Sequence, residues 1–305
     1  ASGITDSGTV TVGGNLAATT DANNGLINLG TLAVDGTVAL TTNGSGNATV
    51  VNDAGLDFAA STVGGNLTLT SGNNITDSGT VTVGGNLAAT TDANNGLVNL
   101  GTLAVDGTIA LATNGSGNAT VVNDRSFYLR NVSVGGNLSA TATTGFIQDI
   151  GTLTVSGTSS FTTSANNAYI NLNGANAFTG AVSLNTTGSS GHAIVDNGIT
   201  ALNLAASSVG GYLTLTSGHA SGITDSGTVT VGGNLIATTD ANNGVINLGT
   251  LAVDGTVQLT TNGNGAATVV NDARLDFAAS TVGGNLAATA TTGNIVDSGV
   301  LTIAG

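Results

Sequence analysis

The stretch Thr9-Val-Thr-Val-Gly-Gly-Asn-Leu16 decides the fold, because the chain repeats it at intervals along its whole length. The same eight letters, TVTVGGNL, return at Thr80 and at Thr228, and close variants fill the spaces between them. Repetition at a fixed period is the sequence signature of an architecture built from stacked structural units. The question is therefore what each unit looks like and why it needs glycine at the same place.

The glycine lies at a fixed distance from the apolar positions around it. An apolar residue precedes it by two positions, and further apolar residues follow that first one at four and six positions. A period of two interrupted by a glycine predicts a strand, a tight turn and a second strand. We expect these glycines to form one corner that recurs in every turn: Gly14, Gly36, Gly65, Gly85, Gly107, Gly136, Gly157, Gly180, Gly211, Gly233, Gly255, Gly284 and Gly305.

A longer repeat contains the short one. Residues 4–53 and 75–124 differ at three of 50 positions, and 223–272 repeat the block with five changes. Both chain ends lie in nearly the same phase of the repeat, so we expect a window of a longer array or a unit that stacks end to end. The sequence predicts one continuous array over 1–305, with internal repeats at about 4–74, 75–146, 147–222, 223–294 and 295–305.

Several short strands and no helix within each 20–30 residues predict an all-β, parallel β-solenoid of about 12 turns with about three strands per turn. In the turn that begins at 63, we place the strands at 66–71, 75–77 and 80–83. Every third turn is longer by the segment TNGSGNATVVNDAG at 42–55, which predicts a protruding loop. Gln258 replaces Ala39 in a later copy, so this position should face outward while its neighbours face the core.

The composition excludes several classes of protein. The chain contains 17 Asp, no Glu, no Lys and three Arg, with a net charge of −14, whereas nucleic-acid binding requires clustered cations. The absence of cysteine excludes disulfides and thiol chemistry. No apolar run approaches 18 residues, so we expect no transmembrane helix.

The segment VGGNLTLTSGNNITDSG at 63–79 resembles the repeat region of filamentous haemagglutinin-like adhesins, which are bacterial surface proteins exported by two-partner secretion. The resemblance implies a right-handed β-helical stalk displayed outside the cell. It also implies neighbouring repeats or like subunits end to end as partners, with host-cell or matrix glycans as further candidates. The 29-residue spacings depart from the simplest form of this pattern.

The carboxylates do not predict an active site. They fall at different phases of the turn, and Asp6, Asp77 and Asp225 belong to near-identical copies, whereas an enzyme keeps one site. Turn chemistry explains Asp in the DSG and DG motifs. The alternatives are a carbohydrate-active enzyme, with a groove near 147–222, and a carbohydrate- or ice-binding protein that uses outward Thr and Asn.

We expect no cofactor. Calcium is a minor alternative, because Asp21, Asn23, Asn52 and Asp53 offer oxygen ligands in predicted loops, although turn formation also explains them. His192 and His219 are single histidines and are expected to be surface residues rather than metal ligands.

One segment departs from the repeat. RSFYLRN at 125–131 stands where other copies read AGLDFAAS or ARLDFAAS. Phe127 or Tyr128 should supply the core residue, and Arg125, Tyr128 and Arg130 form a candidate partner contact, with ordinary sequence drift as the alternative. Together, the repeat patterns predict a non-enzymatic stalk or fibre shaft, and the resemblance implies that it belongs to a secreted bacterial cell-surface adhesin or to an extracellular filament.

Overall fold

The computed structural model describes residues 3–305, which form 39 strands and no helix. Accordingly, no helix within 3–305 is long and apolar enough to cross a membrane. The chain divides into two compact units. Of the described residues, unit 1 contains 3–143 and 155–157, and unit 2 contains 144–154 and 158–305.

The strands are short and follow one another closely. Up to residue 143 they are β1 Ile4–Thr5, β2 Val10–Val12, β3 Leu16–Asn23, β4 Ile27–Val34, β5 Thr37–Asn43, β6 Ala48–Asn52, β7 Leu56–Phe58, β8 Ser61–Val63, β9 Leu67–Ser71, β10 Ile75–Asp77, β11 Val81–Val83, β12 Leu87–Asn94, β13 Val98–Val105, β14 Thr108–Asn114, β15 Ala119–Asn123, β16 Phe127–Leu129, β17 Val132–Val134 and β18 Leu138–Ala142.

The remaining strands continue in the same style. They are β19 Ile147–Asp149, β20 Leu153–Val155, β21 Ser159–Asn166, β22 Ile170–Leu172, β23 Ala177–Phe178, β24 Val182–Thr187, β25 Ala193–Asp196, β26 Leu202–Leu204, β27 Ser207–Val209, β28 Leu213–Ser217, β29 Ile223–Asp225, β30 Val229–Val231, β31 Leu235–Asn242, β32 Ile246–Val253, β33 Thr256–Asn262, β34 Ala267–Asn271, β35 Leu275–Phe277, β36 Ser280–Val282, β37 Leu286–Ala290, β38 Ile295–Asp297 and β39 Leu301–Ile303.

Each unit is built from two parallel sheets between which the chain alternates. In unit 1, sheet I contains β1, β2, β4, β6, β9, β12, β14, β16 and β17, and sheet II contains the other strands. In unit 2, β19, β22, β25, β28, β31 and β33 belong to sheet III, and β21, β24, β29, β32, β34 and β37 belong to sheet IV. Each strand pairs in parallel with the strand about 21 residues further along, which confirms the parallel β-solenoid.

A turn has two sides rather than three. In the turn that begins at 63, the strands β9, β10 and β11 lie close to their predicted positions. However, β10 and β11 belong to the same side, because both pair with the single long strand β13. The third strand is thus a bend within one side. The shorter turn gives about 14 turns instead of the predicted twelve or so.

The predicted protruding loop at 42–55 was wrong. Residues 48–52 form β6, which pairs with β4 on one side and β9 on the other. Asn52 is buried. Its Oδ1 accepts a hydrogen bond from Val34 N at 2.9 Å, and its Nδ2 donates to Val34 O at 3.1 Å and to Gly55 O at 2.7 Å. Because its one polar inward side chain is satisfied, the segment packs as an ordinary side of a turn.

The long repeat spans about three and a half turns, because its length is not a whole multiple of the turn of about 21 residues. Identical sequences therefore lie in opposite sheets. In unit 1, LAATTDAN forms β3 in sheet II and β12 in sheet I. In unit 2, the diverged copy β21 lies in sheet IV and β31 in sheet III. The 29-residue spacings are one and a half turns.

The core consists of columns of apolar side chains between the two sheets. Val38 and Leu40 are buried and Ala39 between them is only half-buried, which confirms the predicted facing. Each buried Val or Leu contributes on the order of 1.5–3 kcal/mol. One column in sheet I runs through successive pairings of Ile27, Ala48, Leu67, Leu87, Ile109 and Leu129, all buried.

Candidate functional site

The repeated glycines lie at corners, but on two edges of the turn instead of the single edge expected. Gly14 and Gly36 lie where the chain passes from sheet I to sheet II, whereas Gly65, Gly85 and Gly107 lie on the return from sheet II to sheet I. Because the long repeat spans about three and a half turns, the corner glycines of one repeat lie on the opposite edge from those of the next repeat.

Close approach of neighbouring turns, rather than special backbone geometry, selects glycine at these corners. None of the predicted corner glycines is among the residues with positive φ in 3–305. A Cβ on Gly85 would lie 2.8 Å from the carbonyl carbon of Gly65 in the turn before, and one on Gly107 would lie 2.6 Å from that of Gly85. Gly85 N in turn donates to Gly65 O at 3.0 Å. At Gly85 and Gly107 any larger residue would separate the turns, whereas a Cβ on Gly14 would meet nothing within 4 Å.

An asparagine column follows these corners in unit 1. Asn66 N donates to Asn47 Oδ1, Asn86 N donates to Asn66 Oδ1 and Thr108 N donates to Asn86 Oδ1, each at 2.8 Å. The side chains are exposed, and each precedes an inward apolar residue. The amide oxygens thus take up backbone N–H groups that the corner would otherwise leave to water.

An aromatic column occupies the equivalent kind of position in unit 2. Phe146 stacks on Tyr169 with ring centroids 4.6 Å apart, Tyr169 on His192 at 5.3 Å, and His192 on Tyr212 at 4.4 Å. The ring planes are within 8° of parallel. Three of the rings are half-buried, and Tyr212 is 40% exposed. Their faces cover one another, so their edges form a surface ridge.

Sequence reasoning missed this column, although a signal was present. Each ring stands directly before an inward residue at the start of a strand, as in Tyr169-Ile170 and Tyr212-Leu213. In the regular copies the positions of His192 and Tyr212 hold Asn47 and Asn66, whereas the position of Tyr169 holds Leu26. Aromatic residues at these positions in successive turns could have been recognised. His192 was expected to be a surface loop residue, and the structure places it inside the column, with its Nδ1 3.0 Å from Ser190 O.

The Asp residues of the DSG motifs join neighbouring turns. Asp77 accepts from Gly101 N at 2.8 Å and from both Thr102 N and Thr102 Oγ1 at 2.7 Å. Asp225 makes the same set of bonds with Gly249 and Thr250. These carboxylates are engaged in structural hydrogen bonds, but the bonds tie them to the next turn and not, as local turn chemistry had suggested, to their own DSG turn.

The first copy of this motif has a perturbed carboxyl. The backbone N–H groups of Gly30 and Thr31 lower the pKa of Asp6, because they stabilise its ionised form. Thr31 also donates through Oγ1 to Asp6 Oδ2 at 2.9 Å.

Asp149, at the same position in the diverged copy, has the opposite shift. It is 4% exposed and accepts from Asn176 Nδ2 at 2.7 Å and Gly174 N at 3.0 Å. Its Oδ1 is buried and has no hydrogen-bond partner within the described residues. Burial raises the pKa of the Asp149 carboxyl, and the hydrogen bonds offset only part of this effect.

The candidate calcium ligands lie in two separate places. Asp21 and Asn23 belong to the end of β3 in sheet II, whereas Asn52 and Asp53 lie at the end of β6 in sheet I. Asn52 is buried and its amide is used by the backbone. In residues 3–305, no group of three or more His or Asp side chains has a geometry that could hold a metal ion.

The candidate partner contact at 125–131 is divided between core and surface. Phe127 and Leu129 are buried, so Phe127 supplies a core residue. Tyr128 between them is half-buried and Arg130 is exposed. Arg125 forms an ion pair with Asp106 and lies 3.4 Å from Asp124.

The comparison with protein families identifies the repeat. A family described as repeats of unknown function (DUF5649) matches residues 45–102, 116–185, 190–249 and 264–305, which is most of the chain. The chain belongs to the DUF5649 repeat family. The aromatic column lies within two of the DUF5649 matches. No curated protein and no solved structure is significantly similar to the chain.

Proposed function

We propose that this DUF5649 chain is a non-enzymatic structural segment, the stalk or fibre shaft of a secreted bacterial surface protein of the filamentous haemagglutinin-like kind or of an extracellular filament. The observation that carries the proposal is the unbroken pairing of each turn with the next within each unit. In this proposal the repeats form one array, and neighbouring repeats or like subunits are its partners.

The mechanism of such a shaft is mechanical. Every turn is held to its neighbours by parallel backbone hydrogen bonds and by apolar columns such as the one that runs from Ile27 to Leu129. Turns contact only their neighbours, so stability is a sum of turn and interface terms and increases with the number of turns. The Asp77–Thr102 and Asp225–Thr250 bonds add polar ties between turns at the surface.

Pulling the full chain by its two ends in a force microscope tests this proposal. A shaft should unfold in small steps of about one turn, and 21 residues release about 70 Å of extended chain. A polysaccharide panel provides the opposing test. Turnover of a glycan that is lost when one Asp is changed to Asn would overturn the structural role in favour of the carbohydrate-active alternative.

A second candidate function, binding to ice, is favoured by one outward column. In unit 2, five threonines pair in register on sheet III, so hydroxyl and methyl groups recur at about 4.8 Å along the column. A thermal-hysteresis measurement tests it: activity in the unchanged chain that Thr238→Lys abolishes would support this candidate, and its absence would reject it. The column is Thr216, Thr238, Thr260, Thr281 and Thr302.

A further inference from the structure

Two of the three arginines lie at nearly the same place in the long repeat, and both pair with Asp. Arg125 forms an ion pair with Asp106, one turn earlier, and its Nε lies 3.4 Å from Asp124. Arg274 binds Asp276 with its Nη2 2.9 Å from Oδ2. The repeat thus contains a position where a guanidinium group sits against an outward carboxylate.

The first copy keeps both of these carboxylates. Asp35 stands in the DG corner where the second copy has Asp106, and Asp57 stands in the LDF strand where the later copy has Asp276. Asp57 lies outward on sheet II, between Thr37 and Thr76 of the adjacent turns.

The first copy has neither arginine. Ala54 occupies the position of Arg125, and Gly55 occupies that of Arg274. A shallow surface pocket of about 320 Å³ lies at this point. It is lined by Val34, Asp35, Gly36, Ala54, Gly55, Leu56, Asp57, Asn74 and Thr76.

The carboxylate in this pocket has the same setting as its arginine-bound copy. Oδ1 of Asp57 is buried and has no hydrogen-bond partner in the described residues. The same is true of Oδ1 of Asp276, whose other carboxylate oxygen forms the ion pair with Arg274. A partly buried carboxylate without a nearby cation is unfavourable, and a second carboxylate in the same pocket increases the cost. The described part of the chain offers no ion pair to Asp35 or Asp57.

We propose that the Asp35–Asp57 pocket binds a guanidinium group from another molecule, namely an arginine side chain of a partner protein. The planar guanidinium fork presents five donors and suits carboxylate recognition. The later copy of the repeat provides its own guanidinium at this position through Arg274. The inference is independent of the shaft proposal, since a docked arginine requires only this pocket.

Titration of the full chain with N-acetyl-arginine amide, followed by amide chemical shifts, tests the proposal. The shifts should concentrate at Gly55, Leu56 and Thr76 and saturate with one site. Asp57→Asn should weaken this binding at least fivefold. Gly55→Arg should abolish it, because the pocket then holds its own cation as in the Arg274 copy. A Cβ at Gly55 meets only Asn74 O at 3.8 Å, so this variant should fold.

The matched controls are Asp21→Asn, outside the pocket, and titrations with N-acetyl-lysine amide and with calcium at equal ionic strength. Asp21→Asn should bind the arginine probe as the unchanged chain does, and the lysine probe should bind more weakly. Shifts spread evenly over the Asp residues, binding that survives Gly55→Arg in a folded protein, or a response to calcium but not to the arginine probe would each overturn the proposal.

Discussion

The asparagine column of unit 1 and the aromatic column of unit 2 join successive turns at the same kind of position by different chemistry. Asn47, Asn66 and Asn86 accept backbone N–H groups from the following turn. Tyr169 and His192 instead cover each other with ring faces. The first column satisfies backbone donors, whereas the second buries apolar surface at an edge that would otherwise be wet.

The difference matters for register. Regular copies are nearly identical, so one asparagine corner pairs as well with another copy as with its true neighbour, and register is weakly specified in such Gly-rich segments. The aromatic turns offer a partner found nowhere else in the chain. An internal ring pair, Phe161 and Phe178 with centroids 5.6 Å apart, adds to this distinctness.

The largest expected effect comes from the internal ring pair. Phe161 is fully buried, so Phe161→Ala should destabilise its turn by about 3–5 kcal/mol through lost burial and a cavity. Hydrogen exchange of amides in 159–187 measures this local free energy of opening. Ser160→Ala, on the half-buried neighbour, is the control and should change it little. A cost below about 1 kcal/mol would show that the rings do not hold this region together.

The second-largest effect should come from substituting corner glycines, and its size should differ between the asparagine column and the aromatic column. Gly85→Ala places a Cβ 2.8 Å from Gly65 C and should cost about 3 kcal/mol, the upper end of overpacking effects. Gly211→Ala, before the aromatic column, meets Ser189 O at 3.0 Å and should cost less. Gly14→Ala, with nothing within 4 Å, should be neutral. Equal costs at all three sites, measured by amide exchange of the adjacent turns, would refute close approach as the reason for glycine.

Removing one member of each column gives a smaller effect. His192→Ala loses two stacking contacts and should cost about 2 kcal/mol, whereas Asn66→Ala loses one exposed acceptor and should cost about 1 kcal/mol. Exchange rates of the amides at 193–196 and 87–91 provide the comparison. If Asn66→Ala proved the more costly change, the hydrogen-bonded column would be the stronger tie.

The smallest effect concerns pH. Because burial raises the pKa of Asp149 above 3.8, the folded state retains its proton longer than the unfolded chain does. This contribution to stability is complete below about pH 3.8 and is lost as pH rises through the folded pKa. The lowered pKa of Asp6 has the opposite consequence: its contribution is present above 3.8 and is lost as pH falls through the folded pKa.

Urea midpoints across the acid range, followed by circular dichroism, should therefore change in opposite directions in the two variants. In the unchanged chain, ionisation of Asp149 lowers the stability as pH rises, and Asp149→Asn should abolish this decrease. Ionisation of Asp6 raises the stability as pH rises, and Asp6→Asn should abolish this increase. Asn at 149 can still accept from Asn176, so the variant isolates ionisation. Parallel pH profiles for the unchanged chain and both variants would contradict the opposite environments of the two carboxyls.

Most of the fold could be predicted from local pattern. The strands β9, β10 and β11 and the inward facing of Val38 and Leu40 follow from alternation and glycine spacing, which are properties of a few consecutive residues. The segment 48–52 was mistaken for a loop because the corner before it reads NGSGN instead of GGN. The spacing between recurring valines did not register this corner, so half a turn was assigned to a loop.

The candidate sites were less accessible to sequence reasoning, because their members come from different turns. Arg125 was recognised as unusual, but its pairing with Asp106 depends on which residues one turn apart become neighbours. The same is true of Tyr169 and His192, which are unremarkable singly and form a column only when stacked.

The sequence by itself determined that this chain coils into parallel strands around a Val, Leu and Ile core, because alternation and close-packed glycine corners leave no other way to bury those side chains. Only the tertiary structure decided that the long repeat spans about three and a half turns, so that equal sequences occupy opposite sheets. The reason is that the phase of a repeat against the turn depends on how many residues close each circuit, which the packing of whole neighbouring turns sets.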